Sequence, residues 1–217
     1  MLKQFTATGQ TVEIPRSLLR MEGTPTISRP PPVYNFDAAP ELQEWKLSAR
    51  GWLESKNKHF DAFLVSAVVF DPKGRVLLVR RAEHDSFPCC WEPPGGGVDW
   101  EDESVLHGCA RELWEEAGVA AKRMLRLVNA RAFPSRKGNR IIYQVTILVE
   151  ADLEVGGEPT VDPQEHSEWM WATEEEVKAQ RKTDGADLQF TALDVRNTLI
   201  TAFQMWCDLT KTGDIRV

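Results

Sequence analysis

The sequence predicts an α/β sandwich with a mixed sheet, preceded by an N-terminal arm and helix and closed by a C-terminal helix. Three observations predict it. FLVSAVVF (63–70) and RVLLVRR (75–81) are apolar runs rich in branched residues, the composition of strands buried on both faces. Leu106, Ala110, Leu113 and Ala117 recur three and four residues apart, as on the buried stripe of a helix. Phe190, Leu193, Leu199, Ile200, Phe203 and Trp206 extend helical spacing through the C-terminal segment, giving a second helix to cover the other face of the sheet.

Taken in order, residues 1–36 read as an arm. TPTISRPPPVYNF (24–36) is too rich in proline for a helix and predicts extended polyproline II, packed over the main domain or used in a homodimer contact. Leu42, Trp45, Ala49 and Trp52 predict one amphipathic helix over 38–56, interrupted at Gly51. The turn Asp71-Pro72-Lys73-Gly74 makes the two apolar strands a hairpin, with Arg81 on the face of Leu77 and Val79. The loop AEHDSFPCCWEPPGGG (82–97) leads to the central helix, capped by Asp102 or Asp99 and ended by Gly118 in the left-handed conformation. Strands follow near Met124–Phe133 and Arg140–Glu150, joined by PSRKGN, then an acidic glycine-rich turn and the strand HSEWMWAT. Thr173 caps a short helix before the C-terminal one. The division expected is an N-terminal extension over 1–59 packing on a domain over 60–217.

Composition sets the class. Hydrophobic content of 42% supports a sizeable core, and 27% charged residues suit a soluble chain. No apolar run is long enough to span a membrane, and MLKQFTATGQ lacks the apolar core of a secretory signal, so a cytoplasmic location is expected. The four cysteines lack C-x-x-C spacing and are expected as reduced thiols. The net charge of −7 is unevenly spread: residues 97–119 hold seven acids and one arginine, and 122–140 hold seven basic residues and no acid. Carboxylates for a cation beside cations for phosphate oxygens fit a metal-plus-polyanion site, against the alternative of two solvated faces. A nucleic-acid surface is not expected, because no basic stripe with interleaved aromatics occurs.

Glu112, Glu115 and Glu116 fall at i, i+3 and i+4, on one side of the helix. Crowded carboxylates without a thiolate suit Mg²⁺, with Mn²⁺ as the alternative, better than zinc. Gly97, five residues, Glu103, seven residues, Arg111-Glu112-Leu113, one residue, Glu115-Glu116, one residue and Gly118-Val119 resemble the Nudix box at every specified position. Nine such positions coincide by chance with probability on the order of 10⁻⁷, so an accidental acidic helix is set aside. Pro94 is followed by three glycines, and the count runs from the third.

The resemblance implies a Nudix α/β/α sandwich and a hydrolase acting on phosphoric anhydrides, cleaving a nucleoside diphosphate linked to another moiety. It implies Glu112, Glu115 and Glu116 as metal ligands, with the Gly96 or Gly97 carbonyl completing the shell and Glu112 or Glu116 orienting water. Arg111 would pair with Glu103 and Glu112 as structural support. Glu165 would be the distal acid, as ligand or general base, with Glu168 the other choice; His166 reads as an exposed loop histidine or a cleft residue. Arg81 would meet a substrate phosphate, Trp91 and Phe133 would stack on a base or fill the core, and Arg136, Lys137 and Arg140 would bind phosphate. The substrates implied are small-molecule diphosphates of the 8-oxo-dGTP or ADP-ribose type. The alternatives are an isoprenyl, thiamine or inositol diphosphate, or a non-catalytic ligand-binding module.

Overall fold

The computed structural model describes residues 3–5, 11–13, 32–135, 137–153 and 158–215. Strands β1 (Lys3–Phe5) and β2 (Thr11–Glu13) pair antiparallel. The rest of the proline-rich arm up to residue 31, with its expected polyproline conformation, lies outside the described residues. From residue 32 the chain runs without regular structure into β3 (Asp37–Ala38), which pairs parallel with Arg123 and Met124, and Tyr34 and Phe36 pack against the core.

The expected helix over 38–56 is two pieces. A 3₁₀ helix, Pro40–Lys46, ends at Leu47 in extended backbone, and α1 (Ala49–Ser55) restarts from Ser48, whose hydroxyl accepts the Gly51 N–H at 3.2 Å. The break is therefore made by the serine cap, and Gly51 lies inside α1. The apolar stripe survives the break: Leu42, Trp45, Ala49 and Trp52 are all buried. Trp52 stacks on Trp45 and Tyr143 at 5.1 and 4.9 Å, so this segment shares one aromatic cluster with the sheet. Trp52→Ala should cost about 3–5 kcal/mol, checked by chemical denaturation. A loss below 1 kcal/mol would mean that the segment is only loosely attached.

Strands β4 (Ala62–Val69) and β5 (Val76–Arg81) were expected as one hairpin, but they enter different sheets. The turn forms, with Gly74 at φ 74° and Asp71 accepting the Arg75 side chain, and a single bridge, Phe70 to Val76, joins the strands. After β5 come β6 (Trp91–Glu92), α2 (Val105–Ala117), β7 (Ala120–Pro134), β8 (Ile141–Asp152), β9 (His166–Ala172), α3 (Glu174–Ala179) and α4 (Leu193–Thr212). One sheet has the order β3-β7-β8-β4, with β4 parallel to β8 and β8 antiparallel to β7; the other is antiparallel, β6-β5-β9.

Strand alternation feeds two cores. Phe63, Val65, Ala67 and Val69 of β4 and Leu77 and Val79 of β5 face α2, packing on Leu106, Cys109, Ala110 and Leu113. Val68, Val76 and Leu78 face the opposite layer, where Leu199, Phe203 and Trp206 of α4 cover them. This is the expected layered α/β/α arrangement. The cap of α2 differs from expectation: Ser104 accepts the His107 N–H, and Asp102 is used elsewhere. Gly118 ends α2 at φ 64°, and Thr173 forms a capping box with Glu176, both as expected. All four cysteines are free. Among the described residues no helix is long and apolar enough to cross a membrane.

Candidate functional site

The site is built where the chain passes from one sheet to the other. Trp91 and Glu92 pair with β5, and the chain then turns onto the edge of β4. Ala67 N–H donates to Pro94 O at 2.8 Å, Val65 N–H to Gly96 O at 2.9 Å, and Val98 N–H to Phe63 O at 2.9 Å. Such close approach admits no side chain. A Cβ on Gly95 would lie 2.2 Å from Val65 O, and one on Gly96 would lie 2.6 Å from the Glu112 carboxylate. Gly97 meets no such limit.

Under this segment lies the acidic face of α2. Glu112 and Glu116 are buried, and Gly95 N–H donates to Glu116 Oε2 at 2.6 Å. Burial, and then the charges of Glu112 and Glu92, push the Glu116 carboxyl well above the usual range, against the pull of that N–H. Arg111 clamps the outer side. It donates to Glu112 Oε1 at 2.7 Å, Glu115 Oε2 at 2.8 Å and Gly97 O at 2.6 Å, and grips Asp102 with two bonds of 3.0 and 2.9 Å.

The pairing of Arg111 with Glu103 is thereby corrected to Asp102. Glu103 has a side chain 82% exposed and, among the described residues, pairs with His107 at 3.4 Å. Ser104 starts the helix immediately after it, which turns Glu103 outward while Asp102 faces in. Asp102→Asn should therefore lower stability by about 2 kcal/mol, since it leaves a partly buried arginine half-satisfied. Glu103→Gln should stay within about 0.5 kcal/mol. Urea denaturation of the two variants decides it, and equal effects would restore Glu103 to the clamp.

On the inner side the sheet supplies a second polar group. Alternation along β6 sends Trp91 into the α4 core, 2% exposed, and Glu92 toward α2. The possibility of Trp91 stacking on a base is thus closed: it is a core residue whose ring lies 4.3 Å from the Lys182 ammonium. Arg81, expected to reach a phosphate, is already engaged. It donates to Glu92, Asp85 and, at 2.6 Å, to Ser86 O. Burial alone pushes Glu92 up, but His166 and the Arg81 guanidinium hold its carboxyl below the usual range. His166 is 1% exposed rather than on an open loop, with Nε2 3.9 Å from Glu116 and 4.0 Å from Glu92. These separations are too long for hydrogen bonds, and among the described residues neither ring nitrogen has a hydrogen-bond partner. Glu165 adjoins it, and carboxylate oxygens of Glu116 and Glu165 lie within 4.8 Å of each other and of a His166 ring nitrogen. Glu168 turns to the other face and pairs with Arg80 at 2.6 Å.

Next to this site, β4, β7, β8 and α4 line a small pocket that the sequence did not disclose. Arg131 donates to Gln144 at 3.2 Å, Gln144 donates to Ser66 at 2.9 Å, and Pro93, Thr146, Val195 and Thr198 complete the lining. It adjoins a cavity of about 210 Å³ between β7 and α4 through their shared Thr198. The available signal was Ser66 and Thr146, hydroxyls inside otherwise apolar strands. Phe133 carries the Arg131 guanidinium 4.6 Å above its ring. Lys137 and Arg140 lie on the β7–β8 connection and form no ion pair among the described residues; Arg136 lies outside them.

Two buried glutamates held close together, a glycine cradle that a methyl group would fill, and an orphaned imidazole fit a divalent cation. An α/β/α sandwich with this loop and helix defines an acidic site of the kind that takes such an ion. The sequence model of the NUDIX domain matches residues 62–193. The m7GpppN-mRNA hydrolase NUDT17 of Homo sapiens is 32% identical over 123 residues, covering 50% of this chain and 37% of that protein. An RNA pyrophosphohydrolase of Novosphingobium aromaticivorans is 30% identical over 129 residues, covering 52% and 78%. The solved MutT NUDIX hydrolase of Burkholderia pseudomallei superimposes with a TM-score of 0.50 at 25% identity, over 64% of this chain and 95% of that one. The chain belongs to the NUDIX domain family. It spans about a third of the length of several curated relatives that it matches.

Proposed function

We propose that this chain is a divalent-cation-dependent hydrolase that cleaves the diphosphate linkage of a nucleoside diphosphate joined to another moiety. The observation that carries the reading is the pair of buried glutamates, Glu112 and Glu116, beneath the Gly95–Gly97 segment. Two buried carboxylates side by side, of which Arg111 bonds Glu112, are costly in a purely structural role. The names of the relatives, m7GpppN-mRNA hydrolase and RNA pyrophosphohydrolase, agree with it.

In this reading Glu112, Glu115 and Glu116 hold the cation with the Gly96 carbonyl, whose oxygen accepts one backbone N–H and keeps a second lone pair. Mg²⁺ is the first ion to test, with Mn²⁺ beside it. Bound there, the ion supplies neutralisation of diphosphate oxygens and a lowered pKa for water. Arg111 keeps the carboxylates at fixed spacing, and Arg81 positions Glu92 instead of meeting phosphate. Glu165, partly exposed at the mouth, accepts a proton from the attacking water. The water oxygen bonds to phosphorus as the bridging anhydride bond breaks, and the leaving phosphate departs as an anion. Lys137 and Arg140 face the outer phosphates of the substrate. Residues 1–59 are an extension on a catalytic domain over 60–217.

The test is a panel assayed with Mg²⁺ and with Mn²⁺: ADP-ribose, 8-oxo-dGTP, a capped dinucleotide, a 5′-triphosphorylated oligonucleotide and an isoprenyl diphosphate. Release of phosphate-containing product from a nucleoside-linked member is expected. Turnover of the isoprenyl compound alone would move the substrate class, and inactivity throughout would favour a ligand-binding module.

A further inference from the structure

We propose that His166 is a nitrogen ligand of the cation site, so that the site prefers Mn²⁺ to Mg²⁺. The inference rests on the divalent-cation reading above and adds to it a donor from a different sheet. A buried imidazole whose ring nitrogens make no hydrogen bond forfeits those that water would give it. Such a group calls for an occupant. Here Nε2 faces Glu116 Oε2 at 3.9 Å and Glu92 Oε1 at 4.0 Å, with the Glu165 carboxylate in the same cluster. Two ligands about 2.1 Å from one ion lie about 3 Å apart when cis and about 4 Å apart when trans, so the spacing admits a shared ion.

The backbone is shaped to aim this ring. Along β5 and β9, Arg80 opposes Glu168, and regular pairing would put Ser167 opposite Arg81. A β-bulge skips Ser167 and sets His166 opposite Arg81. That one-residue shift moves His166 onto the face of Arg81, Glu92 and α2. Both strand and turn then hold it: His166 N–H donates to Asp162 O at 2.8 Å, and Ala82 N–H donates to Glu165 O at 2.9 Å. A bulge that buries a histidine against two carboxylates has no packing purpose that a leucine would not serve better.

Nitrogen ligation has a chemical consequence. Mg²⁺ takes oxygen donors and gives up its waters reluctantly, whereas Mn²⁺, which shares its liking for carboxylates, admits an imidazole among them more readily. Glu116, Glu165 and His166 together form a mixed oxygen and nitrogen set. An all-carboxylate box would discriminate between the two ions less.

The experiment uses the full chain, freed of metal and loaded with Mn²⁺ alone. Pulsed electron paramagnetic resonance should show the ¹⁴N modulation of a directly bound imidazole, absent in His166→Gln. Competition titration should find Mn²⁺ bound about tenfold or more tightly than Mg²⁺, the ratio shrinking severalfold in that variant. Bound Mn²⁺ without ¹⁴N modulation in the unaltered chain overturns the proposal and needs no variant to do so. Modulation that persists in His166→Gln assigns the nitrogen to another residue and overturns it equally. Either result leaves the hydrolase reading standing on its own Mg²⁺ assay, while failure to bind Mn²⁺ at all removes the cation site beneath both.

Discussion

Glu116→Gln should lower metal-dependent diphosphate cleavage by about 10²–10³-fold and, at the same time, make the metal-free chain more stable at neutral pH. The two effects share one cause. Glu116 is 6% exposed, sits beside Glu112 and faces Glu92, and among the described residues its hydrogen-bond donor is the Gly95 N–H. Without a cation its charge is opposed by burial and by both neighbours. Its pKa is therefore raised on folding, and between the unfolded and folded pKa values the native state binds more protons than the unfolded state. The stability of the metal-free chain should fall as pH rises from the ordinary carboxylate range through the raised folded pKa, remaining low above it. Glutamine keeps the shape and the Gly95 hydrogen bond and removes the charge. The variant should lose that pH slope and gain on the order of 1–3 kcal/mol near pH 7. Mn²⁺ or Mg²⁺ should stabilise the unaltered chain and leave the variant much less affected. Thermal melts at several pH values, with and without metal, read all of this. A variant that melts lower than the parent without metal would show that the carboxylate is already compensated.

The second large effect concerns Gly95. Gly95→Ala should cost about 3 kcal/mol or more and take the activity with it. Its Cβ would lie 2.2 Å from Val65 O and 2.6 Å from Ser66 Cα, both backbone atoms that cannot swing aside. Relief requires lifting the segment from β4, which breaks the bonds Ala67 N–H to Pro94 O, Val65 N–H to Gly96 O and Gly95 N–H to Glu116, at about 1 kcal/mol each. Gly97→Ala is the control. Nothing lies within 4 Å of its Cβ and its φ is not left-handed, so the change should be close to neutral. Denaturation midpoints and rates for the pair give the answer, and comparable losses at both positions would falsify the steric account.

That contrast also explains what the sequence could and could not disclose. Helix α2 and its carboxylates were legible because both follow one period, 3.6 residues, within a single short stretch. The apolar strands were legible for the same reason. The motif count, however, selects Gly97 and Glu103, while contact selects Gly96 and Asp102. Both move by one residue in the same direction, so the extra residue is absorbed between Asp102 and the helix, where Ser104 takes the cap. Glu92 and His166 were harder still. Their placement depends on the parity of β6 and on a bulge in β9, and each requires knowing which distant strand is the partner. The 3₁₀ break at Leu47 has the same character, because the freed Leu47 carbonyl accepts the Val105 N–H at the start of α2.

The segment from Pro94 to Val98 has one more consequence, and it concerns other molecules rather than substrate. β4 is the outermost strand of its sheet, long, apolar and otherwise open along one side. An edge of that composition is a template for pairing with a neighbouring chain. The glycine-rich segment occupies that side, so the loop that cradles Glu112 and Glu116 also keeps the fold from polymerising through β4. Substitutions that detach it should produce aggregates as well as inactive monomers, and the onset of aggregation would report on the integrity of the site.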